Sequence, residues 1–318
     1  MLIAPTWKKV APEVRATAAC RRGEGRVCQD EGVEIGVGHL SVVPNTSGPL
    51  LLEWAKRAER LGFSTLATID RIVYPSYDSL ISLAAAAAVT SRIRLMTDIL
   101  LGPTRNPFLL AKEAASVDQF AGGRLVLGLG VGARPDDYQA VATEFHDRGR
   151  RLDATVELML ETWRGEAAGG QSKPAGPPSV REGGVALMFG GAGGHAVRRT
   201  VRWGTGLTIS GGTPTDRGAE LVAQTRAAWA AAGRRGEPRF TQLKYFAMGL
   251  DGRERAADYL ADYYGEGARG NAEHAAKSKS ELEEITGRYE AMGVDEVVFF
   301  PTISDLGQIE LLAEAAFG

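Results

Sequence analysis

The chain has 318 residues, a formal net charge of −2 and a hydrophobic fraction of 44%. Low hydrophobicity with high net charge is typical of disordered chains, and this composition has neither, so we expect a folded protein with a sizeable core. The near-neutral charge argues against a dedicated nucleic-acid binder, which usually presents a basic face. The length allows either two average domains or one closed α/β barrel.

The first 32 residues show no clear helical or strand period, although they carry six basic side chains. We predict that residues 1–32 form a poorly ordered N-terminal extension, and the alternative is a flexible basic arm over an active site. They lack the apolar stretch of a secretory signal peptide, and no apolar run in the chain reaches the ~18 residues of a membrane span. The two cysteines, Cys20 and Cys28, form no disulfide framework, which favours a cytoplasmic location.

From Val33 onward, short apolar runs alternate with longer amphipathic segments. Continuous hydrophobic runs are typical of strands that are buried on both faces of a parallel sheet. Eight strands are predicted: Val33–His39, Thr65–Ile69, Ile93–Leu100, Arg124–Gly130, Val185–Phe189, Gly206–Ser210, Phe240–Met248 and Glu296–Phe300. The helices predicted after them are Pro49–Leu61, Tyr77–Thr90, Pro107–Phe120, Gly149–Trp163, His195–Trp203, Thr215–Ala232, Lys279–Met292 and Asp305–Ala316.

Eight recurring βα units predict an α/β protein with a (β/α)8 TIM barrel over residues 33–318. A doubly wound sheet of two smaller domains is the alternative, but the spacing is even and no linker-like segment divides the core. Two segments interrupt the rhythm, the Gly- and Pro-rich Gly165–Gly184 and the polar Glu254–Lys277, which carries three tyrosines. Each is interpreted either as a lid over a site or as a solvated loop.

Glycine clusters end three consecutive strands of this barrel, at Gly128–Gly132, at Gly190–Gly194 and at Gly211-Gly212. The C-terminal strand ends of a TIM barrel carry its chemistry. Glycine lets backbone N–H groups approach an anion closely, and Gly190–Gly194 immediately precedes a helix N-terminus, which is a natural phosphate site. Three such clusters at one rim favour a phosphorylated or flavin-like ligand over simple tight turns.

Polar side chains follow the first three strands of the predicted barrel. His39 ends the first strand, Asp70 and Arg71 follow the second, and Asp98 lies within the third. A histidine at a strand end is interpreted either as a catalyst or as a satisfied polar residue. The two aspartates either orient a cofactor or form buried ion pairs. Arg71 and Arg105 would give the barrel mouth positive charge for an anionic ligand.

Other reaction classes lack their motifs in this sequence. The string GLGVGA lacks the last glycine and the later acidic residue of a dinucleotide-binding fingerprint. No HExxH motif or clustered His, Asp and Glu set predicts a metal site, and there is no GxSxG elbow or P-loop. An aldolase or isomerase would need a strand-end lysine or paired carboxylates, and Lys244 is the only lysine in a predicted strand.

Four longer strings carry a family resemblance. They are RIRLMTDILLGPTRNPFLLAKEAASVDQFAGGRLVLGLGVGARPDDY, RGRRLDATVELMLETW, VALMFGGAGGHAVRRTVRWGTGLT and MGVDEVVFFP. Together they resemble the luciferase-like flavin-dependent oxidoreductases, and the resemblance extends from about Val33 to the C-terminus. Members of that family fold as (β/α)8 barrels. They use FMN, reduced by a separate reductase, or the deazaflavin coenzyme F420.

The resemblance also implies where the cofactor lies. The flavin ring of relatives contacts a bulged third strand, commonly with a non-prolyl cis peptide, and the matching position is Asp98-Ile99. Thr97, Asp98 and Ile99 are therefore assigned to the ring. His39, Asp70 and Arg71 are expected to orient substrate or to transfer protons. The glycine-rich loops are assigned to the rest of the cofactor, through Gly130, Gly132, Gly190, Gly191, Ala192, Gly193, Gly211 and Gly212.

Two positions depart from the pattern of F420-dependent dehydrogenases in this family. These enzymes often have Asp-His after the second strand, where this chain has Asp70-Arg71, and an acid after the fourth-strand glycines, where Ala133-Arg134 stands. Arginine stays protonated in proteins and is unsuited as a base. Dehydrogenation of a sugar phosphate is therefore not expected from this sequence.

The favoured function is F420-dependent hydride transfer to or from a small organic substrate. The alternatives are an FMNH2-dependent two-component monooxygenase that uses O2, and a non-catalytic barrel that binds a flavin or metabolite. The expected partners are the substrate and a separate flavin or F420 reductase, without nucleic acid or membrane. The resemblance implies a homodimer, and the run Ala84–Ala88 would permit close helix packing.

Overall fold

The computed structural model describes residues 32–167, 170 and 172–318 of the chain. The predicted extension, with Cys20 and Cys28, lies outside these residues apart from Gly32. Eight parallel strands close into a barrel in the order β1 to β8, so the TIM-barrel prediction is confirmed. The strands are β1 (Glu34–Gly38), β2 (Thr65–Thr68), β3 (Arg94–Leu101), β4 (Leu125–Gly130), β5 (Ala186–Gly190), β6 (Gly206–Ile209), β7 (Arg239–Phe246) and β8 (Glu296–Pro301).

Helices follow the strands and surround the barrel. In the described part of the chain they are α1 (Gly48–Leu61), α2 (Ser79–Val89), α3 (Pro107–Phe120), α4 (Pro135–Ala140), α5 (Arg148–Trp163), α6 (Gly194–Trp203), α7 (Thr215–Ala231), α8 (Gly252–Tyr264), α9 (Lys279–Ala291) and α10 (Gly307–Phe317). A 3-10 helix, Glu266–His274, follows α8. The sequence analysis did not predict α4 or α8. None of these helices is both long and apolar enough to cross a membrane.

Local capping signals explain where several helices begin and end. The Asp78 carboxylate accepts hydrogen bonds from the first N–H groups of α2, and the Asn106 side chain does the same for α3. Helix α1 ends at Gly62, which adopts a positive φ of 94°. The Trp54 indole then donates to the carbonyl oxygen of Gly38 over 3.0 Å, which ties α1 to the end of β1.

An ion-pair network closes the N-terminal end of the barrel. It joins Glu34, Arg94, Arg239 and Glu296, which lie at the starts of four strands. Glu296 is 1% exposed, and its carboxylate lies 3.1 Å from each of the two guanidinium groups. Glu34 contacts the same two arginines from the opposite side. Paired acidic and basic side chains therefore occupy the N-terminal end of the barrel interior.

A bulge in β3 shapes the other end of the barrel. Thr97 of β3 pairs with Leu127 of β4, and the next pair is Leu100 with Leu129. Three residue steps on β3 thus correspond to two on β4, so β3 carries one extra residue. The peptide bond between Asp98 and Ile99 in this bulge is cis, as the family resemblance implied. The bulge directs its side chains and carbonyl groups against the neighbouring strand ends.

Candidate active site

A cavity of about 900 Å³ opens at the C-terminal ends of the strands. This is the rim at which TIM-barrel enzymes place their chemistry. The bulge of β3, the glycine-rich ends of β4 to β6 and helix α8 all contribute to its walls. The lining includes Ile69, Asp70, Arg71, Asp98, Ile99, 130–134, 190–192, 210–215, 243–245, Tyr263 and Tyr264.

Most of the predicted site residues line this cavity, and three do not. Thr97 is fully buried, and its hydroxyl donates to the carbonyl oxygen of Gly128 over 2.8 Å, so it holds β3 against β4. Gly193 lies at the start of α6 outside the lining. His39 is 2% exposed and also lies outside the lining. Burial lowers the pKa of His39 to about 4, so its ring is neutral at physiological pH.

Asp98 is a buried acid on the wall of the cavity. The Thr208 hydroxyl on β6 donates to Asp98 Oδ1, whereas Oδ2 has no hydrogen-bond partner among the residues that the structure describes. Burial raises the pKa of Asp98 to about 7 and the charge of Glu296 adds to this, while the hydrogen bond from Thr208 opposes it. Asp98 can therefore hold or release a proton near neutral pH, and one of its oxygens is unpartnered among the described residues.

Asp70 forms a buried ion pair with Arg105 and makes no ion pair with Arg71. The guanidinium of Arg105 lies 3.1 Å from Asp70, and the backbone N–H of Leu101 donates to the same carboxylate over 3.0 Å. Asp78 contacts Arg105 at 2.9 Å. The expectation that Arg105 adds positive charge to the mouth is corrected, because two acids neutralise it and it does not line the cavity. Asp70 ties the end of β2 to the end of β3.

Arg71 lines the cavity, but its guanidinium is occupied by neighbouring segments. It donates to the carbonyl oxygen of Tyr263 over 3.0 Å and to that of Val73 over 2.9 Å. Its charge lies 3.5 Å from Asp137, and it also packs 5.4 Å from the centre of the Tyr263 ring. These contacts hold α8 against the loop after β2. Arg71 is thus placed to position the wall of the cavity.

An aromatic wall closes one side of the cavity. Tyr263 and Tyr264 come from the C-terminal turn of α8, and Tyr245 comes from β7. The hydroxyl groups of Tyr245 and Tyr264 lie 2.6 Å apart, and the rings of Tyr263 and Tyr264 meet edge to face at 4.6 Å. Burial raises the pKa of Tyr245 well above its ordinary value, so its hydroxyl stays protonated. The wall therefore presents aromatic rings and a pair of linked hydroxyl groups along this side of the cavity.

The two segments that interrupted the βα rhythm lie at opposite ends of the barrel. Glu254–Lys277 follows β7 and contains most of α8, so it lies at the cavity. The interpretation of this segment as a lid over a site requires this position. Gly165–Gly184 precedes β5, and the described residues of this segment therefore lie at the N-terminal end. There the Val180 N–H donates to Asp118 on α3 over 2.9 Å. The interpretation of Gly165–Gly184 as a lid is not supported by this position.

The glycines of the rim serve two different purposes. A Cβ atom added to Gly128 would lie 2.0 Å from the Thr97 carbonyl oxygen, and one added to Gly130 or Gly190 would lie 2.6 Å from the Ile99 side chain. These three glycines make room for the bulge of β3. Gly212 differs, because a Cβ atom there would meet nothing within 4 Å. Its backbone faces open space that a ligand can occupy.

The residues present fit a flavin-type cofactor. Gly191 adopts a positive φ of 145° beside the start of α6, and Arg217 donates to the carbonyl oxygen of Ala192 over 2.9 Å, which fixes this loop. The loop and Gly212 leave space for a phosphate-bearing chain, and Asp98 presents an unpartnered oxygen at the bulge. No cluster of three or more potential metal ligands occurs in the described ranges.

The sequence analysis missed two residues that shape the site. Thr208 and Tyr245 lie in predicted strands, and Thr208 is two residues before Ser210, the last residue of its predicted strand. Because side chains alternate along a strand, this spacing places Thr208 on the same side as Ser210. Tyr264 is one of the three tyrosines of the segment interpreted as a possible lid, and it belongs to α8, whose buried residues Ala256, Tyr259, Leu260 and Tyr263 show helical spacing.

Comparisons with known proteins agree with this geometry. A family model described as luciferase-like monooxygenase matches residues 39–302. An uncharacterised protein of Mycobacterium tuberculosis is 28% identical over 233 residues, which cover 64% of this chain and 80% of that protein. The solved structure of monooxygenase RslO1 from Streptomyces bottropensis matches with a TM-score of 0.72 and 21% identity, covering 89% of this chain and 98% of that one. An F420-dependent secondary alcohol dehydrogenase in complex with an F420-acetone adduct matches with a TM-score of 0.73 and 17% identity, covering 90% and 98%.

Proposed function

The chain belongs to the luciferase-like monooxygenase family, and from this premise we propose that it is an oxidoreductase that binds reduced coenzyme F420 in the cavity. The proposed reaction is hydride transfer between this deazaflavin and a small organic substrate. Family membership alone does not choose between F420 and FMN, because the solved structures that share the fold include an F420-dependent dehydrogenase and a monooxygenase. The choice rests on the acid in the bulge of β3.

Asp98 is the observation that carries the proposal. A reduced deazaflavin supplies a hydride and reacts poorly with oxygen. A carbonyl group that accepts a hydride also needs a proton on its oxygen, and the reverse reaction needs a base for the same proton. Asp98 lines the cavity, has one oxygen without a partner among the described residues, and has a pKa raised to about 7, so it would act in both directions. The protein then contributes proton transfer and placement, and the cofactor contributes the redox chemistry.

Other residues of the cavity prepare this step. The Thr208 hydrogen bond fixes one oxygen of Asp98 and leaves the other without a partner among the described residues. The buried rings of Tyr245 and Tyr263 would limit the access of water to the reacting groups. The loop at Gly191 and the open backbone at Gly212 would hold the phosphate-bearing part of the cofactor. We also propose a separate reductase as the source of the reduced cofactor.

Titration of the purified protein with reduced F420 and, separately, with reduced FMN tests the proposal. We expect F420 fluorescence to change on binding, and its absorbance to change when small alcohols or carbonyl compounds are added. Tight binding of FMN without a response to F420 would replace the proposal with an FMNH2-dependent monooxygenase. Binding of F420 without turnover of any substrate would favour a non-catalytic barrel. The absence of binding to either cofactor would overturn an oxidoreductase function.

A further inference from the structure

The wall of the cavity extends beyond the strand ends to two outer helices. Thr215 is the first residue of α7 and Arg288 lies on α9, and both line the cavity together with Lys244 of β7. Thr215 lies three residues after Gly212, and Arg217 in the first turn of α7 contacts Ala192, so this part of the wall adjoins the loops proposed for the cofactor phosphate. Its basic side chains come from two elements, β7 and α9.

Lys244 is a buried cation in this wall. It is 8% exposed, yet no hydrogen-bond acceptor and no carboxylate within 4.0 Å pairs with its ammonium group among the residues described by the structure. Its Nζ lies 5.1 Å from the centre of the Tyr289 ring, whose face stabilises a positive charge. Because the residue is largely shielded from bulk water, an anionic group beside its ammonium group would be stabilised more than at an open surface.

The surroundings of Lys244 are suitable for an oxyanion. Arg288 contacts Glu284 at 2.6 Å through one of its terminal nitrogens and adds a second basic group to the wall. Helix α7 begins here after Pro214, and no side chain among the described residues caps its start, so the N–H groups of Thr215 and Asp216 are available to a ligand. Asp216, in the first turn of α7, is exposed and accepts a hydrogen bond from the Arg217 N–H over 2.8 Å.

We propose that Lys244, supported by Arg288 and by the start of α7, binds a phosphate or carboxylate group of a ligand in the cavity. The inference rests on the proposed function only for the identity of that ligand. The anionic group belongs either to the substrate, which would then be an anionic organic molecule, or to the charged tail of the cofactor. Both sources share the same chemistry at Lys244.

Binding of inorganic phosphate to the cofactor-free protein tests the proposal, with calorimetry as the readout. Lys244→Met keeps most of the stem volume and removes the charge, and we expect phosphate affinity to fall about ten- to hundredfold. Lys112→Met removes an exposed charge on α3 and is the matched control, which should bind phosphate like the wild type. Lys244→Arg keeps the charge and should retain binding. Thermal unfolding of each variant verifies that it is folded.

Unchanged phosphate affinity in Lys244→Met would overturn the proposal, because the lysine would then serve only to pack its stem against Tyr289. A wild-type protein that binds no phosphate would overturn it as well. Titration with F420 and with the deazaflavin nucleoside that lacks its phosphate and glutamate tail separates the two sources. If Lys244→Met weakens the binding of F420 but not that of the nucleoside, the anion belongs to the cofactor. If Lys244→Met binds F420 as tightly as the wild type does, the anion belongs to the substrate. The phosphate titration is independent of whether any deazaflavin binds.

Discussion

Asp98 combines burial with a place on the wall of the cavity. It is 5% exposed, so its charged form is disfavoured, and one of its oxygens has no partner among the described residues. Glu296 adds to the rise of its pKa from the opposite end of the barrel interior. The bulge of β3 therefore places a carboxyl group with a pKa near neutral pH on the wall of the cavity.

Replacement of Asp98 by Asn should lower kcat about 10²- to 10⁴-fold, because the amide cannot exchange a proton with the substrate. The ionisation near pH 7 in the kcat profile should disappear. Thr208→Val is the companion variant. It removes the hydrogen bond that lowers the pKa of Asp98, so its profile should move to higher pH. A pH profile of Asp98→Asn that matches the wild type would contradict a role in proton transfer.

The same carboxyl should make stability depend on pH. The pKa of Asp98 is about 7 in the folded chain, against an ordinary value of 3.8, so the folded state binds a proton that the unfolded state has lost between these values. The contribution of Asp98 to the unfolding free energy should therefore fall as the pH rises from about 4 to about 7, whereas that of His39, with its lowered pKa, should rise. Urea unfolding over this range should show the unfolding free energy of the wild type falling relative to that of Asp98→Asn, because His39 is common to both proteins. Equal pH dependence in both proteins would refute the assignment.

The sequence allowed the position of Asp98 to be predicted, but not its chemistry. The resemblance placed Asp98 at the bulge, whereas its partner Thr208 lies 110 residues away and was found only in the folded chain. The same limit applies to Asp70, since its ion pair with Arg105 depends on how β2 and β3 end side by side. Strand-end position predicted that His39 would face the mouth, but whether a side chain at the rim reaches the cavity depends on its neighbours.

At the scale of elements, the bulge of β3 and the glycines of β4 and β5 form one unit. Gly128 faces a backbone carbonyl group that cannot move aside, whereas Gly130 and Gly190 face the flexible Ile99 side chain. The glycine clusters were interpreted from the sequence as a site for an anion. Part of them instead accommodates the strand beside them, which could not be inferred without knowing the position of the bulge.

Gly128→Ala should be strongly destabilising, because its Cβ would lie 2.0 Å from the Thr97 carbonyl oxygen and would displace the bulge. Gly212→Ala is the control at the same rim, and its Cβ would meet nothing within 4 Å. Chemical denaturation should show a loss of about 3 kcal/mol or more for Gly128→Ala and less than about 0.5 kcal/mol for Gly212→Ala. Similar losses in both variants would show that the bulge does not restrict β4.

Helix α8 is attached to the barrel by few polar contacts, and Arg71 supplies one of them. Arg71→Met should increase hydrogen exchange in α8 about fivefold or more, because one hydrogen bond that holds its last turn is lost. Arg253→Met, at the exposed start of α8, breaks a surface ion pair with Glu281 and serves as the control. Unchanged exchange in α8 of Arg71→Met would mean that the aromatic contacts alone hold the helix.

The order of the strands determines the end of the barrel at which each irregular segment lies, whereas the composition of the segments does not. Both looked like candidate lids, because each interrupts an even βα spacing. A segment that follows a strand of the barrel lies at the C-terminal rim, and a segment that precedes one lies at the opposite end. The number of preceding strands was already available from the sequence. Counting them would have assigned Glu254–Lys277 to the cavity and Gly165–Gly184 to the other end.

At the scale of the whole molecule, the barrel is closed by charge at one end and holds the cavity at the other. Burial raises the pKa of Glu34, but Arg239 and Arg94 outweigh this and hold it below its ordinary value. The fold itself was predictable from the sequence, because eight hydrophobic runs alternate evenly with amphipathic segments. The ion-pair network at the N-terminal end could not be predicted, because its four members are spread from residue 34 to residue 296 and meet only when the barrel closes.

Glu296→Gln should lower the unfolding free energy by about 3 kcal/mol, because two arginines then share only the partly exposed Glu34. Glu157→Gln breaks an exposed ion pair with Arg202 and should cost less than about 1 kcal/mol. Urea unfolding at neutral pH measures both. A loss in Glu296→Gln as small as in the control would show that the network adds little to the stability of the closed barrel.

The position of Gly165–Gly184 has a practical consequence for work on this protein. Lys173 is exposed in this segment, at the end of the barrel remote from the cavity. An electrode linker or affinity tag attached at Lys173 would orient the barrel with its mouth toward the solution. A cofactor could then be reduced electrochemically and reach the barrel without passing the point of attachment.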